Sequence, residues 1–162
     1  MRPIVLALLL STTLALPAAA QWRVSLGAGG AIAGSTESSL SDGKGGALFM
    51  GQIVRGGLPL VGVGAEVNRW SRGTLNTTFA TGIIQAHVPL TGLLLKVGVG
   101  YGTGDPDGLG KINGATVQFG AGYDLTVPFA PIAATFFGNA LVSHASSRSM
   151  QLVGVGVALT FR

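Results

Sequence analysis

From Trp22 onward the chain alternates between large apolar side chains and small or polar ones. Val153, Val155, Val157, Leu159 and Phe161 fall on one parity, and Gly154, Gly156, Ala158 and Thr160 on the other. Ala115, Val117, Phe119, Ala121, Tyr123, Leu125 and Val127 repeat the pattern against Thr116, Gln118, Gly120, Gly122, Asp124 and Thr126. Similar ladders run through 93–101, 61–68 and 22–32. A period of two is the signature of a strand with one apolar face. Each ladder is close to the roughly 10 residues that a tilted strand needs to cross a bilayer. No apolar run after Leu16 approaches the roughly 20 residues of a spanning helix. The chain is nevertheless 48% hydrophobic and only 10% charged, against about 25% charged in an ordinary soluble domain. Inside lipid only helices and closed barrels satisfy every backbone group, so strands with this composition point to a closed barrel.

Three further segments are less regular. Ala47–Arg55 carries apolar residues on both parities, and Phe79 and Ile83 share the polar parity of 77–88. In 132–143 the adjacent Phe136 and Phe137 force one ring inward unless a bulge resets the parity. The total is eight strands. Their connections alternate in kind. Arg55–Pro59, Pro89–Gly92 and Pro128–Pro131 are short and contain proline, which lacks a ladder donor and belongs in turns. Gly34–Gly46, Ser71–Asn76, Gly102–Gly114 and His144–Arg148 are polar and mostly longer. Three short turns and four loops are what an eight-stranded antiparallel up-and-down barrel requires. Transmembrane barrels place short turns in the periplasm and longer loops outside.

The amino-terminal segment reads differently. Arg2 supplies a positive charge, Ile4–Leu16 is largely apolar, and Leu16-Pro17-Ala18-Ala19-Ala20 ends on small residues. These are the three parts of a secretory signal peptide. The expected division is residues 1–20 as a cleavable signal and 21–162 as one outer-membrane β-barrel domain. Removing 20 of the 162 residues leaves 142. The absence of cysteine excludes disulfides as the source of stability. The balance of ten Lys/Arg against six Asp/Glu is basic, but the charges are scattered and form no nucleic-acid footprint.

The polar side chains that fall on the inward parity are the candidate lumen cluster: Arg23, Glu66, Lys96, Gln118 and Asp124, with Gln85 and His87 on the same side of their segment. An eight-stranded barrel is just wide enough for its interior to be filled by side chains, so these residues are expected to form a plug rather than a channel. Inward glycines, as in Gly98-x-Gly100 and Gly154-x-Gly156, are expected to make room for the larger polar groups. Lys96 and Asp124 lie equally far from the expected ends of adjacent strands and are expected to pair. Trp22, Tyr101 and Phe161 fall on the outward parity at strand ends, where barrels carry interfacial aromatics.

Several chemistries are excluded or weakened. The two histidines, His87 and His144, lie far apart and no cysteine joins them, so no metal site is expected. No Gly-x-Gly pair completes a nucleotide fingerprint. Asp105-Pro106-Asp107-Gly108 reads as turn chemistry. No cofactor is expected.

Gln118-Phe119-Gly120-Ala121-Gly122-Tyr123-Asp124-Leu125-Thr126 and Val97-Gly98-Val99-Gly100-Tyr101-Gly102 resemble strands of small outer-membrane β-barrel proteins. These are the porin-like and opacity-like group related to the outer-membrane-protein-A transmembrane barrel. Val153–Phe161 resembles the insertion signal read by the barrel-assembly machinery, with Arg162 following the usual final aromatic. The resemblance implies a Gram-negative outer-membrane location and two partners, the assembly machinery and outer-membrane lipid including lipopolysaccharide. It implies a structural or surface-interaction role without catalysis. Three alternatives belong beside it: a narrow passive pore, a lipid-modifying hydrolase, and a soluble lipocalin-like barrel. His144-Ala145-Ser146 resembles the His-x-Ser of outer-membrane lipid A deacylases, but no acidic residue follows Asp124 and Ser147 stands where asparagine is expected. A soluble barrel would need a charged exterior, which the composition does not supply.

Overall fold

The computed structural model describes residues 22–35, 43–58, 60–88, 91–126, 130–145 and 148–162. The expected signal segment 1–20 and Ser146 lie outside them. Eight strands run β1 Trp22–Ser35, β2 Lys44–Leu58, β3 Val61–Arg72, β4 Leu75–His87, β5 Leu93–Asp105, β6 Ile112–Thr126, β7 Ile132–His144 and β8 Ser149–Phe161. Each pairs antiparallel with the next, and β8 closes on β1.

The register fixes the shape. A path perpendicular to the strands from Val24 passes Ile53, Ala65, Gly82, Val99, Val117, Val142 and Gln151, and returns to β1 at Gly34. The shift is ten residues (34 − 24) over eight strands. Strand number, shear and tilt are linked, and this combination corresponds to a tilt of about 40°. Strands of 12–15 residues are therefore long enough to carry a belt of ~25 Å.

The alternation places Val99, Val155, Phe119 and Leu26 outward, each more than 60% exposed, and puts their small or polar neighbours inward. The irregular segments follow the same rule. Leu48, Met50 and Val54 point inward while Phe49 and Ile53 point outward. Phe137 is buried and Phe136 exposed, and both neighbours keep a continuous register, so β7 contains no bulge. The irregularity lies at Gly56/Leu58, between β2 and β3. Apolar residues occupy both parities because one half of the lumen is itself apolar.

Three expectations need correction. The Gly102–Gly114 connection is shorter than expected, because Gly102, Thr103 and Gly104 pair with Gly114, Asn113 and Ile112 and extend the β5–β6 ladder, leaving 106–111 between the strands. The 71–76 segment is not a loop: Ser71 pairs with Asn76 and Arg72 with Leu75, leaving a tight hairpin in which Gly73 has φ +60°. Glycine adopts that left-handed conformation without steric cost. The inward glycines also serve apolar neighbours. A Cβ on Gly156 would come within 2.7 Å of the Phe137 ring. Gly120 does clear space for a polar chain, since a Cβ there would lie 2.4 Å from Lys96 Cε.

Candidate functional site

The lumen is stacked in layers between a turn end, where β1 begins and β8 ends, and a loop end, where the β3–β4 hairpin lies. At the turn end Asp124, projecting from β6, holds two arginines. Arg23 Nη2 on β1 is 2.5 Å from Asp124 Oδ2, and Arg162 Nη2, just after β8, is 2.7 Å from the same oxygen. Thr135 donates to Asp124 Oδ1 at 2.6 Å. Arg23 Nη1 also donates to His87 Nε2 on β4. Thr160 joins Thr135 and Ser25 through hydroxyl contacts of 2.8 and 2.9 Å. The cluster thus ties β1, β4, β6, β7 and β8 together at one end.

The middle layer is organised around Glu66. Its Oε1 accepts from Asn68 at 2.7 Å, Gln118 at 2.6 Å and Asn139 at 2.8 Å. Its Oε2 accepts from Gln52 at 2.9 Å and from Lys96, whose ammonium forms the ion pair. Thr81 donates to Gln118 Oε1 at 2.5 Å. A buried carboxylate is tolerated when it is paired and its lone pairs are filled. Glu66 meets both conditions with donors from four strands besides its own.

Toward the loop end the lumen becomes apolar. Leu48, Trp70, Phe79, Leu141, Met150 and Leu152 are fully buried there and pack together. The Trp70 indole N–H finds the Ala31 carbonyl at 3.2 Å. Between the two polar layers lies a void of about 10 Å³, lined in part by Arg23, Gln52, Gln85 and Phe137, which is the space of one water. The lumen is a packed core.

Above the apolar layer the 106–111 connection bends over the mouth. Pro106 is buried. Asp107 Oδ2 receives Arg148 Nη2 at 2.8 Å, Arg148 Nη1 reaches the Leu109 carbonyl at 3.2 Å, and Lys44 Nζ reaches the Asp107 carbonyl at 3.0 Å. Gly108 N–H donates to Asp105 Oδ1 and Leu109 N–H to Asp107 Oδ1, the local side-chain turn bonds for which aspartate is suited. Burial pushes the Asp107 carboxyl up, but hydrogen bonds from Ser35, the Leu109 N–H and Arg148, with the Arg148 charge, hold it below its ordinary value.

Arg23, Glu66, Lys96, Gln118 and Asp124 all project into the lumen, in two clusters rather than one. The expected Lys96–Asp124 pair is not formed. Leu93 pairs with Tyr123 and Lys96 with Gly120, so Asp124 stands four residues from the position opposite Lys96. The strand shear displaces equal-length ends relative to each other, and Lys96 finds Glu66 across the lumen while Asp124 finds Arg23 and Arg162. Asn68, Asn139 and Gln52 complete the Glu66 shell without having been singled out. Asn68 has the lumen parity in the sequence, whereas Asn139 and Gln52 sit in segments of mixed parity. The role of Arg162 has no signal in the alternation.

On the outer wall Trp22 and Tyr101 are each 56% exposed and Phe161 48%. Trp22 begins β1 and Phe161 ends β8, both at the turn end as expected, whereas Tyr101 is not at a strand end: it lies inside β5, which runs on to Asp105. The Arg55 guanidinium lies 5.7 Å from the Trp22 ring centre, within cation–π range. His144 Nδ1 is 2.7 Å from Ser149 Oγ, directly across the β7–β8 ladder. Among the described residues no group of His, Asp and Glu is placed to hold a metal.

No family model matches this chain. No curated protein matches it in sequence. Solved structures match it in fold. The attachment invasion locus protein Ail of Yersinia pestis superposes with a TM-score of 0.58 at 14% identity, covering 86% of this chain and 97% of that one. Neisserial surface protein A gives 0.56 at 10% identity over 86% and 96%. The amino-terminal β-barrel domain of Pseudomonas aeruginosa OprF gives 0.51 at 16% identity over 87% and 100%. The fold is that of the small eight-stranded barrels to which these proteins belong.

Proposed function

We propose that this chain is a non-catalytic integral outer-membrane protein with a structural or surface-interaction role, exported by cleavage of residues 1–20. The observation that carries the reading is the inversion of the barrel. Glu66, Lys96, Asp124, Gln85, Gln118, Asn68 and Asn139 are buried in the lumen, while Leu26, Val63, Val99, Phe119, Val155 and Leu159 line the outside. A soluble protein rarely exposes a continuous apolar surface beyond a few hundred Å². A bilayer makes that surface favourable. The fold shared with Ail, Neisserial surface protein A and the OprF barrel supports the same environment. In this reading the proline turns face the periplasm, the 106–111 cap faces outside, Trp22, Tyr101 and Phe161 lie at the headgroup levels, and the assembly machinery and outer-membrane lipid are the partners. The apolar layer argues against the pore alternative, and His144, bonded to Ser149, has no acidic partner among the described residues for hydrolysis.

Detergent extraction of the outer membrane tests this directly. The unheated protein should migrate differently from the boiled one, and reconstituted protein should give no conductance steps and release no fatty acid from lipopolysaccharide. Recovery in the soluble periplasmic fraction would overturn the membrane reading.

A further inference from the structure

The outer wall is not uniform. On β4 the outward residues become small toward the loop end: Ile84 is followed by Gly82 and Ala80. Their neighbours are larger. Gly82 lies between Ala65 and Val99, and Ala80 between Val67 and Tyr101. The result is a groove of about 410 Å³ whose lining includes Val63, Gly82, Ile84, Val97, Val99 and Phe119. Ile84, 53% exposed, closes it toward the turn end. In the other direction, beyond the lining of the groove itself, the next outward positions of β4 are the small Ala80 and then Thr78, which is flanked by Arg69 on β3 and Thr103 on β5. This outward face of β4 therefore has an apolar, closed end and a polar end headed by a cation.

Arg69 is outward and exposed, and among the described residues no carboxylate pairs with it. A guanidinium at the rim of an apolar wall is costly unless an anion meets it, and its planar fork suits phosphate. We infer that the β3–β5 groove binds one acyl chain of a phosphate-bearing glycolipid of the lipid A type, with its phosphate on Arg69. The choice of lipid A over other anionic lipids rests on the proposed membrane orientation, because the loop end then faces the outer leaflet. Charge complementarity at Arg69, together with the apolar floor leading away from it, selects a lipid over a second copy of this chain.

The test uses the full chain refolded in detergent and mixed with purified lipid A, or with phosphatidylglycerol at the same mole fraction. Native mass spectrometry then counts retained lipids. Two variants address the two halves of the site. Arg69→Gln removes the cation. Gly82→Leu fills the floor, and its backbone permits this, since an added Cβ meets only the Val99 carbonyl, at 3.8 Å. The wild type should retain one lipid A. Each variant should retain it about tenfold more weakly, the loss expected for about 1.4 kcal/mol of binding, while still shifting on heating. Phosphatidylglycerol should be held more weakly than lipid A. Equal retention by wild type and both variants, equal retention of phosphatidylglycerol, or a lipid-free dimer through this face would each overturn the inference. Loss of the heat shift in the wild type would instead refute the membrane reading on which it rests.

Discussion

Replacing Lys96 with methionine tests the energetics of the lumen most directly. Lys96 is buried, and its ammonium pairs with Glu66, which is 1% exposed. Methionine keeps most of the aliphatic stem and so leaves little cavity beside Gly120. What it removes is the only cation on the Glu66 carboxylate among the described residues. Breaking one side of a buried pair costs about 3–5 kcal/mol. Four amide donors remain on Glu66, from Asn68, Gln118, Asn139 and Gln52, which places Lys96→Met near the lower end, about 3 kcal/mol. Glu66→Gln strands the ammonium and turns an amide toward donors, so it belongs at the upper end, about 5 kcal/mol. The double replacement removes both charges and should cost well under the sum, a coupling of at least about 2 kcal/mol. Reversible urea unfolding in lipid vesicles, followed by Trp fluorescence and heat-modifiable migration, measures all four proteins. The companion cycle of Lys96→Met with Asp124→Asn should be additive, because the two residues belong to different clusters. Additivity in the Lys96–Glu66 cycle, or a cost for Lys96→Met below about 1 kcal/mol, would refute the argument that this pair is desolvated and coupled.

Three further outcomes follow from the geometry. Asp107 has a folded pKa held below its ordinary value. Its contribution to docking of the cap is therefore present above the unfolded carboxylate value, near pH 4, and is lost as pH falls through the folded value. A spin label on Leu109→Cys should gain mobility in acid, and Asp107→Asn should show that mobility already at neutral pH; an unchanged spectrum would break the link. A tag inserted at Gly110, which avoids the Asp107 latch, should be labelled on intact cells, whereas labelling only after the outer membrane is permeabilised reverses the topology. Val157→Arg, outward and 47% exposed, should destabilise the inserted barrel by about 2–4 kcal/mol. Gly156→Leu should fail for a different reason, because its Cβ would meet the Ala28 carbonyl at 2.5 Å. Normal insertion of both variants would invalidate the face assignment.

The alternation of Val153–Phe161, Ala115–Val127 and Leu93–Tyr101 was enough to determine strands and their apolar face, because pleat parity is a local property, and with so few charges it pointed to a closed barrel. Parity also placed Arg23, Glu66, Lys96, Gln118 and Asp124 inside the barrel. It did not determine who meets whom. Lys96 and Asp124 have matching positions in their strands, yet the ten-residue shear separates them by four and brings Lys96 to Glu66 across the lumen. The mixed patterns of 47–55 and 132–143 were opaque for a related reason. Leu48 and Phe137 are apolar and inward because they complete an apolar layer to which Trp70, Phe79 and Leu152 come from three other strands. Facing direction is written into each strand by its period, whereas the partners inside the barrel are set by closure, shear and the sharing of one narrow lumen, which only the tertiary structure decided.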